Sequence, residues 1–440
     1  MLMNSLYLSQ MKDLLKDEFD QYLSMLDQPP QRGIRVNTLK ITADELFEIT
    51  PLTYGKSPFA DNGWYVKAES SLGRMISYKA GLFYIQEPSA SAAVTVLDPK
   101  PGMKVLDLCA APGSKSTQIG EKLQNTGFLC VNEYVRKRTM PLLENIEQYG
   151  LSNTMILNND TRDVAKAFPE YFDAVLCDAP CSGEGMFRKE DEALANWSEE
   201  NVRICAERQR EILNNAEKCL KPGGVLVYST CTFNIHENEE TILHFLNEHD
   251  NMVMEDAGVS FGRRGILNEH HINLAVRIFP MDGGEGHFIA KMRKLGEPDE
   301  RQIKAAAAKP VPAEAAAFLN DILKKQYPYI TVRNDRVYGG SAPFIEPKGV
   351  SIVRNQVYLG DLVKKRFEPS HQLFMSAYSD FNRTADLDDE AIVRYLHGEQ
   401  IEYHSEKGWY AVTWHGHPVG GAKSDGIYLK NKYPKQLRFR

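Results

Sequence analysis

Two short segments each place a cysteine where an apolar run gives way to loop residues. Asp178-Ala179-Pro180-Cys181-Ser182-Gly183 follows the run from Phe172 to Cys177, and Ser229-Thr230-Cys231-Thr232 follows Val225 to Tyr228. Short apolar runs of this kind read as buried strands of a parallel sheet. Loops at the carboxyl ends of such strands are where open α/β sheets place ligands and chemistry. Two thiols delivered to one crevice point to covalent catalysis, which splits one hard step into easier ones. The attacking form is the thiolate, against a reference pKa of about 8.5, and no activating group is nameable from sequence. Arg188 and Lys189 are candidates for backbone or substrate contact, whereas His236 and Glu237 read as the start of a helix. The neighbours of Cys130, Cys205 and Cys219 read as strand or helix interior, where free cysteines act as small buried hydrophobes. Cys177 and Cys181 lack a second pair and the histidines lack ligand spacing, so neither a disulfide framework nor a metal site is expected.

Upstream, Val105-Leu106-Asp107-Leu108-Cys109-Ala110-Ala111-Pro112-Gly113-Ser114-Lys115 reads as a strand turning into a helix. A helix N-terminus offers unpaired N–H groups and partial positive charge to a ligand. Pro112 has no N–H to lose there, and Gly113 lets the backbone come close. The segment is neither G-x-G-x-x-G nor a phosphate loop, which disfavours a dehydrogenase or a nucleotide triphosphatase. Glu133 closes the next strand, 26 positions past Asp107, where an acid can bind both hydroxyls of a ribose. Asp160 closes the third strand in the same way.

The elements that must position these groups alternate from Gly102 to about Arg293. Strands are predicted at 104–108, 128–132, 154–158, 172–177, 225–229, 276–279 and 287–292, with helices over 114–123, 136–149 and 199–219. Such alternation means an α/β fold, a parallel sheet with helices on both faces. The last two strands, separated by Gly283-Gly284-Glu285-Gly286, read as a hairpin. Around this core the expected units are an N-terminal α+β domain over 1–90, a catalytic domain over 91–295, a linker over 296–317, a small mixed domain over 318–370 and a final domain over 371–440. The N-terminal unit opens with helical spacing of Leu14, Leu15, Phe19, Tyr22 and Leu23, stopped by Pro29 and Pro30.

Taken together, the three motifs resemble the RNA:cytosine-carbon-5 methyltransferase family, the Sun-like and nucleolar enzymes. The resemblance runs from about Ile34 to Arg293 and includes Tyr84-Ile85-Gln86-Glu87-Pro88-Ser89, which family members place beside the cofactor. Many members carry Asp directly after the Gln, where this chain has Glu87. The resemblance implies a Rossmann-like S-adenosylmethionine methyltransferase sheet ending in an antiparallel strand. It implies a cofactor site at Cys109, Ala110, Ala111, Pro112, Gly113, Ser114, Lys115, Glu133, Arg138, Asp160 and Asp178, with Asp160 toward the adenine amino group. DNA cytosine methyltransferases attack with the Pro-Cys cysteine, the place of Cys181. The RNA family attacks from the later strand, which implies Cys231 as nucleophile, Cys181 as the helper of product release and Asp178 as the acid beside the base. The segment from 371 onward resembles the PUA-like RNA-binding domain of bacterial 16S rRNA members.

That resemblance favours RNA, and small-subunit 16S rRNA over tRNA, as the partner. Charge agrees: the chain carries a net −7, yet residues 301–440 hold 21 Lys and Arg against 15 Asp and Glu, leaving the excess of acid to the first 300 residues. A basic C-terminal part suits a polyanionic partner. From Ala422 onward Lys423, Lys430, Lys432, Lys435, Arg438 and Arg440 stand against Asp425, with Tyr428, Tyr433 and Phe439 interleaved as candidates for base stacking. No membrane-spanning apolar run and no signal-peptide pattern is present, so the expected location is cytoplasmic. A tRNA cytosine methyltransferase is the nearest rival, and a non-catalytic ribosome-assembly factor is the rival from another class.

Overall fold

A computed structural model describes the chain apart from residues 1–3, 68–70, 190, 298–302, 304, 307–309 and 440. Two helices, Ser5–Leu15 and Phe19–Leu26, open it. Their apolar faces bury Tyr7, Met11, Leu15 and Tyr22 against Phe187, Trp197, Phe233 and Phe279 of the catalytic part. A four-stranded antiparallel sheet follows, formed by β1 (Gly33–Val36), β2 (Thr53–Lys56), β3 (Gly63–Lys67) and β4 (Phe83–Gln86) in the order β2-β3-β1-β4. The helix Ala43–Ile49 starts where Thr42 and Glu45 cap each other reciprocally.

The central sheet contains β5 (Lys104–Asp107), β6 (Phe128–Asn132), β7 (Thr154–Leu157), β8 (Phe172–Asp178), β9 (Leu220–Thr230), β10 (Met252–Glu255), β11 (Arg263–Arg264), β12 (Val276–Ile278) and β13 (His287–Lys294). Its order is β11-β12-β13-β9-β8-β5-β6-β7, with β5 to β9 parallel and β10 to β13 antiparallel to their neighbours. The expected hairpin is present: Val276 faces Ile289 and Ile278 faces His287. Leu106, Cys130, Val175, Leu226 and Ile289 are fully buried in the layers on either side of the sheet. Each such Leu, Val or Ile side chain contributes about 1.5–3 kcal/mol on leaving water. The chain runs from β5 outward to β7, then returns to β8 and β9 on the other side of β5. The reversal opens a crevice at the carboxyl ends of β5 and β8, where open α/β sheets bind ligands.

The region after 313 begins with a helix, Ala313–Ile322. A second small sheet comprises β14 (Tyr329–Arg333) and β15 (Arg336–Gly340). The next strand, β16 (Ile352–Asn355), leaves it and pairs antiparallel with β7, extending the catalytic sheet. The chain then returns through β17 (Val357–Val363) and β18 (Arg366–Pro369) to complete the order β14-β15-β17-β18. The last sheet holds β19 (Thr384–Asp386), β20 (Ile401–Glu402), β21 (Gly408–Trp414), β22 (His417–Ser424) and β23 (Tyr428–Asn431), with the helix Asp389–His397 packed on it. Its core is continuous with that of the N-terminal sheet: Ile34, Val36 and Leu46 belong to one cluster with Leu387, Ile392, Tyr395 and Trp414. Sequence reading set these two units at opposite ends of the chain, whereas the fold packs them together.

Candidate active site

The turn after β5 delivers the chain into the helix Ser114–Lys122. Gly113 sits at φ +110°, and a Cβ there would stand 3.1 Å from Leu142 Cδ1, so a side chain at this position is strained. The N–H groups of the first helical turn have no intrahelical acceptor. Ser114 and Lys115 line a cleft of about 690 Å³ together with Cys109, Ala110, Ala111, Pro112 and Arg138. Asp178, Cys181, Cys231 and His287 form part of the same lining.

Arg35, on β1 and wholly buried, fastens this helix to the N-terminal sheet. Its guanidinium donates to Glu121 Oε2 at 2.7 Å, Tyr149 Oη at 2.8 Å, Thr117 Oγ1 at 2.6 Å and the Ser114 carbonyl at 2.9 Å. Nothing in the sequence pattern marks this arginine, because a lone Arg in a short strand reads as surface charge.

Asp178 accepts from Lys115 Nζ and from Ser229 Oγ, both at 2.7 Å. Burial works to raise its pKa, but the Lys115 ammonium and the two hydrogen bonds prevail and hold it below the usual carboxylate value. Asp107 lies deeper. Burial pushes it up to about 7, and Ser116 Oγ, donating at 2.6 Å, lowers it only in part. Glu133 is buried, accepts from the Val135 N–H at 2.7 Å and lies 3.5 Å from Arg138 Nη1. The carboxylate of Asp160 is engaged by Arg162, through its backbone N–H at 2.9 Å and its guanidinium at 3.0 Å. Glu133 and Asp160 therefore stand beside the cleft lining rather than in it.

The two cysteine loops come together because β8 and β9 are parallel neighbours in register, Asp178 facing Ser229. Cys181 Sγ lies 3.1 Å from Cys231 Sγ. The loops are tied by Ser182 Oγ to Thr232 Oγ1 at 2.9 Å and by the Gly185 N–H, which donates to the Cys231 carbonyl at 2.9 Å. Glu184 accepts from the Phe233 N–H at 2.9 Å and from Trp197 Nε1 at 2.8 Å. Glu237 does not open a helix, since the next one begins at Glu239. It is buried beneath the loops, accepts from the Ser182 N–H at 2.9 Å and from Gln209 at 2.8 Å, and is pushed up to about 7 by burial. His236 lies outside the cleft lining and meets Glu240 at 2.5 Å. Arg188 is a structural residue, buried with Glu285 at 3.2 Å and donating to the Gln28 and Pro29 carbonyls, while Lys189 lines the cleft.

Four family descriptions match consecutive stretches of the chain. They are the N-terminal domain of 16S rRNA methyltransferase RsmF over residues 3–88, 16S rRNA methyltransferase RsmB/F over 94–293, the RsmF rRNA methyltransferase first C-terminal domain over 317–376 and the methyltransferase RsmF PUA domain over 382–439. The ribosomal RNA small subunit methyltransferase F of Vibrio vulnificus is 33% identical over 460 residues, covering 98% of this chain and 96% of its own. That of Shewanella loihica is 32% identical over 447 residues, covering 95% and 91%. The chain belongs to the RsmB/F methyltransferase family. A solved methyltransferase homolog from Pyrococcus horikoshii shares the architecture, with a TM-score of 0.60 at 28% identity over 66% of this chain and 95% of that one.

RsmB/F enzymes are S-adenosylmethionine-dependent RNA methyltransferases, and the Rossmann-like sheet expected from the motifs is the one found. The residues present fit that cofactor. Asp107 lines the cleft, and among the described residues its buried Oδ1 has no hydrogen-bond partner of good geometry, which offers an acceptor to a ligand amino or N–H group. The first-turn N–H groups of the helix Ser114–Lys122 supply donors at the same wall. No helix among the described residues is long and apolar enough to cross a membrane.

Proposed function

We propose that this RsmB/F enzyme methylates carbon 5 of a cytosine in small-subunit 16S rRNA, in the cytoplasm, with Cys231 as the nucleophile. The reading is carried by the meeting of two thiols and the Asp178 carboxylate in the cleft that begins at the cofactor turn. Carbon 5 of cytosine is a poor nucleophile. Addition of the Cys231 thiolate at carbon 6 forms an S–C6 bond and turns the ring into an enamine whose carbon 5 can attack. Bound S-adenosylmethionine supplies the electrophilic methyl group. Asp178, held ionised by Lys115, accepts from the exocyclic amine and from the N3–H formed as ring N3 takes a proton from solvent, a proton that N3 gives back when the ring becomes aromatic again. Once carbon 5 is methylated, its proton leaves and the C6–S bond breaks, with the Cys181 S–H directed at the departing sulfur.

The main chain from Cys109 to Lys115 and the Glu133–Arg138 pair hold the cofactor. Asp160, whose Oδ2 accepts only one of the Arg162 hydrogen bonds, keeps an acceptor site for the adenine amino group. The target cytosine must be single-stranded or flipped out to present its face to a thiol. RNA contacts are assigned to the N-terminal unit over 1–90 and to the units over 318–370 and 371–440, around the catalytic unit over 91–295. The test is methyl transfer from tritiated cofactor to small ribosomal subunits of a strain lacking this enzyme, followed by bisulfite sequencing. A single protected cytosine that depends on Cys231 is the expected result. Transfer unchanged by Cys231→Ala would overturn the assignment.

A further inference from the structure

We infer that the imidazole of His287 is the base that takes the proton from carbon 5 after methyl transfer. The inference rests on the reading of Cys231 as the nucleophile and supplies the proton acceptor that reading leaves open. Release requires a base at carbon 5, and the two sulfurs are poorly suited to be one. Cys231 is covalently engaged at that stage. The Cys181 thiol is pushed well up by its contact with Cys231 and by burial, so it remains an S–H donor at neutral pH.

His287 is the first residue of β13, directly after Gly286. The β13–β9 register ends where Phe288 faces Thr230, so His287 and Cys231 are the residues next beyond that last pair, at the same end of the ladder. Both residues line the cleft. Among the described residues, the ring is anchored through Nδ1. Its Nδ1 lies 3.0 Å from Ser89 Oγ, and Ser89 Oγ lies 2.7 Å from Glu87 Oε2. Two oxygens at that distance need a proton between them, and the carboxylate also accepts the N–H groups of Ser89, Ala90 and Glu285. The Ser89 hydroxyl proton is thereby committed to Glu87. Ser89 Oγ must then accept from Nδ1–H, and this fixes the tautomer with an unprotonated Nε2.

Burial lowers His287 to about 4, and Lys115 and Lys189 act in the same direction, while Glu87 and Asp178 oppose them. The ring is therefore neutral at physiological pH. The relay from Nδ1 through Ser89 to Glu87 stabilises the imidazolium as it forms, the role an acid plays behind a catalytic histidine. In the step itself, Nε2 takes the proton from carbon 5. The C–H pair becomes the C5–C6 double bond, and the C6–S pair returns to Cys231 as thiolate, which Cys181 S–H meets. The proton then passes from the imidazolium to solvent through the cleft.

The test uses the full-length enzyme with RNA and cofactor. His287→Asn keeps a donor toward Ser89 and removes the base, and His287→Ala leaves room for added imidazole. Both variants should bind S-adenosylmethionine with unchanged affinity and transfer methyl in a single turnover. Both should accumulate a cofactor-dependent covalent RNA–protein band, with kcat lower by about 10²–10⁴-fold. Imidazole in the buffer should restore turnover of His287→Ala and not of Cys181→Ala. Turnover by His287→Asn within a few-fold of the parent, a fall in rate without the covalent band, or lost cofactor affinity would each overturn the inference. RNA bearing 5-fluorocytidine, whose C5 fluorine no base can remove, separates this from the underlying reading. If the parent enzyme is not trapped on that RNA, it is the Cys231 assignment that fails.

Discussion

The Sγ atoms of Cys181 and Cys231, 50 positions apart in the chain, lie 3.1 Å from each other. That is well beyond the roughly 2.05 Å of a disulfide and within reach of an S–H···S contact. The two thiols are not equivalent: Cys181 is held protonated by its neighbour and by burial. One can attack while the other donates, and their variants should fail in opposite ways.

Cys231→Ala should reduce methyl transfer to background while S-adenosylmethionine binding stays near normal, because the thiol meets the base and not the cofactor. Cys181→Ala should still attack carbon 6 and transfer methyl, then stall with RNA attached. A denaturing gel reads this as a slow, protease-sensitive band that requires cofactor and disappears in the double variant. The band in Cys231→Ala alone would reverse the assignment.

Lys115→Met should move the acid limb of the kcat/KM profile to higher pH. In the parent, Lys115 keeps Asp178 ionised below the usual carboxylate pKa of about 3.9 despite burial. With the ammonium gone, the Ser229 hydrogen bond remains but the largest opposition to burial is lost, and the carboxyl protonates at higher pH. The sign for stability follows: a depressed folded pKa contributes stability above the unfolded value, and that contribution is lost as pH falls through the folded one. An unmoved acid limb would separate Lys115 from the ionisation of Asp178.

Arg35→Met should destabilise the enzyme by about 3–5 kcal/mol, because it leaves Glu121 buried without its cation. Denaturant unfolding measures the loss. Adding Glu121→Gln should recover part of it, since a buried pair removed together costs less than one partner removed alone. Cofactor affinity should weaken as well, as the guanidinium also holds the Ser114 carbonyl at the cofactor turn.

Calorimetry separates the two strand-end acids. Glu133→Ala should weaken S-adenosylmethionine binding, whereas Asp160→Ala should weaken it less, because Asp160 already satisfies Arg162. Unchanged affinity in both variants would remove them from the site.

Replacing Lys423, Lys430 and Lys432 with Ala should flatten the salt dependence of RNA affinity by about 0.7–0.9 in log slope for each phosphate that is no longer neutralised. The three side chains are exposed on or beside the last sheet. An unchanged slope would mean that this face does not meet phosphate. Of the three interleaved aromatics, only Tyr428 remains exposed. Tyr433 is buried against Tyr395, and Phe439 packs beside Lys79 of the N-terminal unit. Stacking on RNA at this tail therefore falls to Tyr428.

Periodicity and strand-end chemistry are local properties, and the sequence determined them alone. The helices Arg136–Tyr149 and Glu199–Cys219 and the strand Phe128–Asn132 fall where the apolar spacing predicts. The motif residues at the ends of β5, β8 and β9 share a crevice because a parallel sheet brings all its carboxyl ends to one side. Long-range pairing decided the rest, because no local pattern encodes which distant surfaces meet. Arg35 reads as surface charge until β1 packs against the helix Ser114–Lys122. Glu237 reads as a helix start until the loops close over it, and His287 reads as one histidine among eleven until the hairpin brings it into the cleft that Cys231 lines. The strand Ile352–Asn355 pairs with one some two hundred positions earlier, and the last unit shares its core with the first. Removing residues 301–440 would thus strip apolar surface from both partners as well as charge from the RNA-binding side. That dependence arises from burial across the fold, which depends on which surfaces meet rather than on the spacing of residues along the chain.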